Sequence, residues 1–324
     1  MPTPASAGDE HGVEPMLATL TREPFSRPGW LFERKLDGVR ALAVREGGRT
    51  RLFSRSHKPM GASYPEIVDA LEVVADGDFA TDGEIVAFDG DQTSFAMLQK
   101  RIHQTNPVLV RSSGVAVFYY VFDMLSWDGH DMRRLPLRDR KTILREAIDF
   151  ADPLRYSAHR EDDGAQMYAD ACARGWEGVI AKRADSAYRG GRSPDWLKFK
   201  CVRDQEVVIG GFTDPGGSRS ALGALLVGYH DDSGLRYAGK VGTGFDEATL
   251  RRLRDLLGPL EQPASPFVDQ VREKGAHWVA AQVVAQVGFA EWTTAGRLRH
   301  PTYRGLRDDR SAADVVREAP AGGS

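Results

Sequence analysis

Glu33-Arg34-Lys35-Leu36-Asp37-Gly38-Val39-Arg40 sets one lysine in front of a turn, with a carboxylate and an arginine close behind. Gly38 permits backbone conformations that a Cβ disfavours, so the stretch predicts a sharp turn after Lys35. A lysine so placed can be a nucleophile, because amines form covalent intermediates once burial or nearby cations lower their pKa. A surface Lys-Asp turn would account for the same eight residues. The segments around it decide between the two readings.

Working outward, residues 30–34 predict a short strand entering the lysine turn. Residues 40–45 and 50–54 predict a hairpin around Glu46-Gly47-Gly48, from the alternation of Val39, Leu42, Val44, Leu52 and Phe53. Ser54-Arg55-Ser56-His57-Lys58 is its basic exit. Helical spacing predicts helices over 64–74, 94–103, 137–150 and 164–174, with Gln99 and Arg101 on the exposed side of the second. Strands are expected over 79–88, carrying Asp82-Gly83-Glu84, and over 115–125, 178–182 and 196–200, with a loop over 188–195. Past Arg203 the texture changes to short strands (206–212, 224–229, 235–241, 281–292) and one helix (247–257), which predicts an OB-type barrel. The expected organisation is a flexible leader over 1–15, one domain over 16–202, the barrel domain over 203–313 and a disordered tail over 314–324. Gly242-Thr243-Gly244 begins like a dinucleotide fingerprint but lacks the third glycine, and a tight hairpin is the better reading.

The 324 residues suffice for two cored domains, and 41% hydrophobic with 27% charged residues is ordinary for a soluble globular protein. No apolar run approaches the roughly 20 residues of a membrane span, and the start of the chain has neither the basic nor the apolar part of a signal peptide. Cys172 and Cys201 form no CxxC and suggest no disulfide framework, which points to a reducing compartment. A net charge of −3 does not by itself announce a nucleic-acid binder, but the arginine-rich run from Arg297 to Arg310 could face phosphates.

Residues i and i+2 of a strand share a face, so Lys198 and Lys200 point the same way, beside Trp196. Two cations in register suit a phosphate, and near Lys35 they would favour its free amine. Glu177, Asp37 and Glu84 at strand ends could hold Mg²⁺, which takes oxygen ligands and binds phosphates together with water. Phe122, a core aromatic by default, could stack on a nucleobase if its strand end lines a pocket.

Taken in order, Lys35-Leu-Asp-Gly-Val-Arg40, Ser54-Arg55, Asp82-Gly83-Glu84, Phe122-Asp123, Glu177-Gly-Val-Ile-Ala-Lys182 and Trp196-Leu-Lys-Phe-Lys200 resemble the nucleotidyltransferase motifs of ATP-dependent DNA ligases. Arg299-His300-Pro301 through Arg307-Asp308-Asp309-Arg310 resembles the ligase motif on the OB domain. The resemblance runs from about Met16 to Arg310 and is nearest to the bacterial end-joining ligases. It implies an α+β chain, with an ATP-grasp-like nucleotidyltransferase domain of antiparallel sheets and a C-terminal OB-fold barrel. Lys35 would take AMP from ATP, with Asp37, Lys198 and Lys200 assisting. Glu33 would contact adenine, and Phe122 and Ile180 would sandwich it beside Trp196. Arg40, Arg55 and Glu84 would hold the ribose and later the DNA 5′-phosphate. Lys182 would stabilise the α-phosphate, while Glu177 and Asp37 would bind Mg²⁺, or Mn²⁺ in its place. Arg299, Arg307 and Asp309 would orient pyrophosphate.

The family's last motif usually ends in lysine, and position 310 is arginine, which keeps the charge but not the geometry. The substrate implied is nicked or broken duplex DNA, with a Ku-like end-binding protein as a candidate partner and no membrane. A monomer in the bacterial cytoplasm, at the nucleoid, is expected. Two other readings share some of these residues: an RNA ligase or capping nucleotidyltransferase, and a binding protein with a dead transferase domain.

Overall fold

A computed structural model describes residues 13–21, 23–102, 104–216 and 221–318. By backbone contacts the described chain divides after Cys201 into two compact units. The first runs β1 (Met16–Leu20), β2 (Trp30–Lys35), β3 (Val39–Glu46), β4 (Arg49–Ser54), α1 (Pro65–Val73), β5 (Phe79–Asp89) and β6 (Gln92–Thr93). It continues with α2 (Phe95–Ile102), α3 (Pro107–Ser112), β7 (Val117–Trp127), β8 (His130–Asp131) and α4 (Leu137–Ala147). Then come β9 (Leu154–Tyr156), β10 (His159–Glu161), α5 (Gly164–Ala173), β11 (Gly178–Arg183) and β12 (Gly191–Lys200).

Two sheets form the middle of this unit. One has the order β1-β12-β11-β2-β10, and the other follows β4-β3-β5-β7-β8, with β6 and β9 pairing off that path. Strand alternation gives each sheet two apolar faces, so three packed layers result. Phe32, Val179, Ala181 and Phe199 pack outward against Met167 and Ala171 of α5. On the far side, Ala41, Ile85 and Tyr119 pack against Ile67, Leu71, Leu98 and Leu144 of α1, α2 and α4. Between the sheets lie Met16, Leu42, Phe122, Tyr188 and Trp196. The candidate site is built on this inner layer.

Several expectations need correction. The strand ending in Lys200 begins at Gly191, inside the expected loop, because residues 191–193 pair in parallel with Met16–Ala18 of β1. Arg101 is buried, not exposed: its guanidinium donates to both Glu66 carboxylate oxygens at 2.9 Å and to the carbonyls of Ser63 and Val115. Gly38 does not adopt a positive φ; a Cβ there would lie 2.2 Å from the Ile85 carbonyl oxygen, so close approach to β5 excludes a side chain. Cys172 and Cys201 are disulfide-bonded across 29 residues. Their spacing carried no signal, because the β11–β12 hairpin returns the chain to the end of α5.

The second unit runs β13 (Asp204–Thr213), β14 (Leu225–Asp231), β15 (Gly234–Val241), α6 (Glu247–Leu257), β16 (Glu261–Gln262), β17 (Ala276–Gly288), β18 (Glu291–Trp292), β19 (Leu298–Arg299) and β20 (Thr302–Leu306). Its main sheet has the order β15-β14-β13-β17-β16, with β20 also on β17, and α6 packs Leu250, Leu253 and Leu257 against it. Gly242-Thr243-Gly244 is not a hairpin but the connection from β15 into α6, whose N-terminus Asp246 caps by accepting from the Thr249 N–H at 2.7 Å. Residues 314–318, expected as the start of a disordered tail, are held in place. Val315 is buried and its carbonyl accepts from His230 N–H at 2.7 Å. The expected leader, apart from residues 13–15, and the rest of the tail lie outside the described residues.

Candidate active site

Register across the first sheet arranges the inner face in rows. β11 lies between β2 and β12, so Gly178 faces Lys35 on one side and Lys200 on the other. One row on, Ile180 stands between Glu33 and Lys198; beyond it, Lys182 stands between Leu31 and Trp196. Steps of two residues keep all of them on one face. Gly178 must stay bare, because φ is +150° and a Cβ would fall 1.9 Å from the Phe199 carbonyl oxygen. Nothing therefore stands between the stems of Lys35 and Lys200 in their row.

This first row is the accessible end. Lys35 Nζ is ion-paired with Glu177 Oε1, from the residue that opens β11. The two side chains are 17% and 8% exposed, so the nucleophile candidate is reachable while its carboxylate partner is largely covered. Asp37 follows in the turn to β3, its N–H donating to Thr93 Oγ1 at 3.2 Å.

The opposite end is closed. Glu33 Oε1 accepts from Lys141 Nζ at 2.6 Å, and Oε2 accepts from Lys182 Nζ at 2.9 Å and Ser157 Oγ at 3.1 Å. Burial pushes the Glu33 carboxyl up, but Lys141 and Lys182 outweigh it and hold the group below its ordinary value. Lys182 is pulled down to about 8 by burial, with Glu33 opposing and Lys141 adding to the shift. Its Nζ lies 4.1 Å from the centre of the Phe122 ring and 4.2 Å from that of Trp196.

The second sheet closes over this layer. Arg40 binds Asp82 through two nitrogens and donates to the Met16 carbonyl at 3.0 Å, and Tyr188 donates its hydroxyl to Asp82 Oδ2 at 2.6 Å. Burial pulls the Arg40 guanidinium down, yet the Asp82 carboxylate more than offsets this and leaves it raised. Arg40 also lies over Phe122, 4.7 Å from the ring centre. Asp123 is tied off by Arg140 through bonds of 2.7 and 2.8 Å, both groups fully buried. Glu84 is half-buried opposite Arg40 and Tyr120, and Arg55 is half-buried in the turn leaving β4.

The structure thus brings Lys35, Glu177, Glu33, Ile180, Lys182, Trp196, Lys198 and Lys200 onto one face, and sets Arg40 and Phe122 against it. Arg299, Arg307 and Asp309 belong to the second unit. There Arg307 is buried against Asp309 through two bonds of 2.9 Å, whereas Arg299 lies on the β18–β19 hairpin, exposed, 2.8 Å from Glu291. Arg310, the residue that departs from the expected lysine, is ion-paired with Glu206, its Nε 2.6 Å from a carboxylate oxygen. Sequence reasoning missed Arg140 and Lys141. Leu137, Arg140, Lys141 and Leu144 fall at i, i+3, i+4 and i+7, the buried stripe of α4, with two cations in its middle.

Were Mg²⁺ to bind here, it would share its shell with phosphate rather than be caged by protein. Among the described residues no three Asp, Glu, His or Cys side chains are grouped to hold a metal, and Glu177 stands beside an amine.

The profile of the ATP dependent DNA ligase domain matches residues 15–200, and that of the ATP dependent DNA ligase C terminal region matches residues 218–310. The chain belongs to the ATP-dependent DNA ligase family. Among curated relatives, the multifunctional non-homologous end joining protein LigD of Pseudomonas aeruginosa is 38% identical over 335 residues. That match takes in 98% of this chain and 39% of the relative. LigD of Mycobacterium tuberculosis is 40% identical, over 94% of this chain and 40% of the relative. The chain therefore spans about two fifths of the length of these curated ligases. A solved mycobacterial DNA ligase D complexed with ATP and MES matches with a TM-score of 0.66 and 35% identity, over 96% of this chain and 100% of that one. The ligase domain from M. tuberculosis LigD gives a TM-score of 0.50 at 36% identity, with the same coverage. The fold is that of these ligases: a nucleotidyltransferase unit of mainly antiparallel sheets followed by an OB-type C-terminal region. Among the described residues no helix is long and apolar enough to cross a membrane.

Proposed function

We propose that the protein is an ATP-dependent DNA ligase that seals 5′-phosphate and 3′-hydroxyl ends through a lysyl-AMP on Lys35. The observation that carries this reading is the row in which Lys35 faces Lys200 across the bare backbone of Gly178, with Glu177 on the lysine amine. Phe122 and Ile180 flank the adenine, with Glu33 and Trp196 at its edge. Arg40, Arg55 and Glu84 serve the ribose and then the DNA 5′-phosphate.

To attack, Lys35 must leave the ion pair and shed its proton; Lys198 and Lys200 favour the uncharged amine. The amine nitrogen then bonds the α-phosphorus as the bond to pyrophosphate breaks. Lys182, Lys198 and Lys200 offset the charge on the α-phosphate, and Arg299, Arg307 and Asp309 of the second unit orient the leaving group. AMP passes next to the DNA 5′-phosphate, and a 3′-hydroxyl displaces it. In each transfer the protein mainly supplies position and charge. Glu177 and Asp37 would hold Mg²⁺, or Mn²⁺, with phosphate oxygens completing its shell; the ion supplies charge neutralisation. The substrate is nicked or broken duplex DNA in double-strand break repair by end joining, with a Ku-like end-binding protein as partner. The protein acts as a monomer in the bacterial cytoplasm, at the nucleoid.

The test is label transfer. Protein incubated with Mg²⁺ and α-labelled ATP or GTP is denatured and assayed for bound label, with Lys35→Ala alongside. The expected result is label from ATP only, none in the variant, and discharge with sealing on nicked DNA. Label from GTP would move the protein to capping chemistry. No label, even after pyrophosphate pretreatment to strip any AMP already bound, would end the reading.

A further inference from the structure

At the closed end of the site two lysines share one carboxylate. Glu33, Lys141 and Lys182 are each 2% exposed, and Lys141 also donates to the Ser157 carbonyl at 3.0 Å. Two ammonium groups face one carboxylate; Asp123 also favours the charged Lys182, but by less than Lys141 opposes it. Asp123 is held by Arg140 and Asp82 by Arg40, each through two bonds. His159, opposite Glu33 on β10, is held below its ordinary value by burial and by Lys141. Tyr156 is kept protonated by burial, Phe122 and Trp196 present rings, and Lys198 lies two residues along β12 from Trp196.

The geometry points to Lys141 as a positioning residue that keeps one positive charge in excess behind Ile180 and Lys198, an excess that nucleotide binding neutralises. This rests on the nucleotide reading above. Without an anion, the Lys182 ammonium is buried beside a second ammonium and gives up its proton near pH 8. A triphosphate at the Lys35–Lys200 row, two rows or about 14 Å away, favours the charged form. Above pH 8, binding then draws up to one proton from solvent onto Lys182 Nζ, with no other bond made or broken. Lys141 touches no substrate in this account. It acts by dividing Glu33 and repelling Lys182.

The test separates KM from kcat in self-adenylation between pH 7 and 9.5. In the wild-type protein KM for ATP is expected to rise above pH 8. Lys141→Met leaves Glu33 wholly to Lys182 and removes the repulsion, so the rise should move up by about one to two pH units, with a higher KM below pH 8. Lys141→Arg keeps the charge and should restore the wild-type profile. A Lys141→Met protein with lower kcat but an unmoved rise would overturn the proposal, as would failure of Lys141→Arg to restore it.

A second measurement needs no variant. Calorimetric titration with α,β-methylene ATP at pH 8.5, in two buffers of different ionisation enthalpy, should show net proton uptake. Binding without uptake would overturn the proposal and leave the nucleotide reading intact; no binding at any pH would instead remove the nucleotide reading, and the inference with it.

Discussion

The two ends of one sheet face use the same residue types to opposite effect. At one end Lys35 is ion-paired with Glu177, and the lysine is reachable. At the other, Glu33 is shared by two lysines and sealed from water. Both are lysine–carboxylate contacts, and Glu33 and Lys35 lie only two residues apart on β2. The difference is what covers them: the second sheet and α4 close over Glu33, and no bulky neighbour stands in the Gly178 row. An ion pair that must open for chemistry belongs where opening costs little, and one that must keep its shape belongs where breaking it costs much.

The largest expected effect comes from breaking the closed end. Glu33→Gln leaves Lys141 and Lys182 buried without their counter-charge and should cost about 3–5 kcal/mol of stability, read by urea unfolding at pH 7. The comparison sharpens with pH. The folded-state pKa of Glu33 is depressed, so its contribution is present above the ordinary value of 4.5 and is lost as pH falls through the folded value. Glu33→Gln should lack that part of the acid limb. Lys182 adds a slope of the same sign in a higher window: its folded pKa of about 8 lies below the ordinary 10.5, so stability should rise with pH between the two.

A smaller effect is expected at the open end. Gly178→Ala forces a Cβ against the Phe199 carbonyl and should cost about 1–3 kcal/mol, with a loss of label transfer greater than the loss of folded protein. If activity fell only in step with folding, the bare row would matter for packing alone.

The smallest effect is expected in the second unit, where the same contrast recurs. Arg299 and Glu291 are 56% and 48% exposed, so Arg299→Ala should change stability by less than about 1 kcal/mol. Any loss of activity there would then report on its role with pyrophosphate. Equal unfolding losses for Arg299→Ala and for Arg307→Ala, which exposes a buried partner in Asp309, would break the comparison.

The open end was legible in the sequence. Lys35, Lys198 and Lys200 sit in short motifs whose strand alternation predicts a shared face, and the register brings them onto one, with Glu177 against Lys35. The closed end was not. Glu33 gave no sign that its partners lie 108 and 149 residues away, because ion pairs across layers leave no local spacing. The helix that carries Lys141 and Arg140 was expected from its spacing, but these two residues were not singled out, although their place in the i, i+3, i+4, i+7 stripe marked them as inward-facing. Parallel pairing of β1 with β12 was missed for a related reason: Gly-Arg-Ser-Pro-Asp looks like a loop until a partner strand lies beside it.

The bond between Cys172 and Cys201 places a second covalent anchor one residue before the second unit begins. Any pull transmitted along the backbone from Val202 reaches that anchor before it reaches Lys200. While the bond is intact, part of the load passes into the end of α5 instead of down the strand that carries the two lysines. Reduction would leave the backbone through Lys200 as the path for any such load.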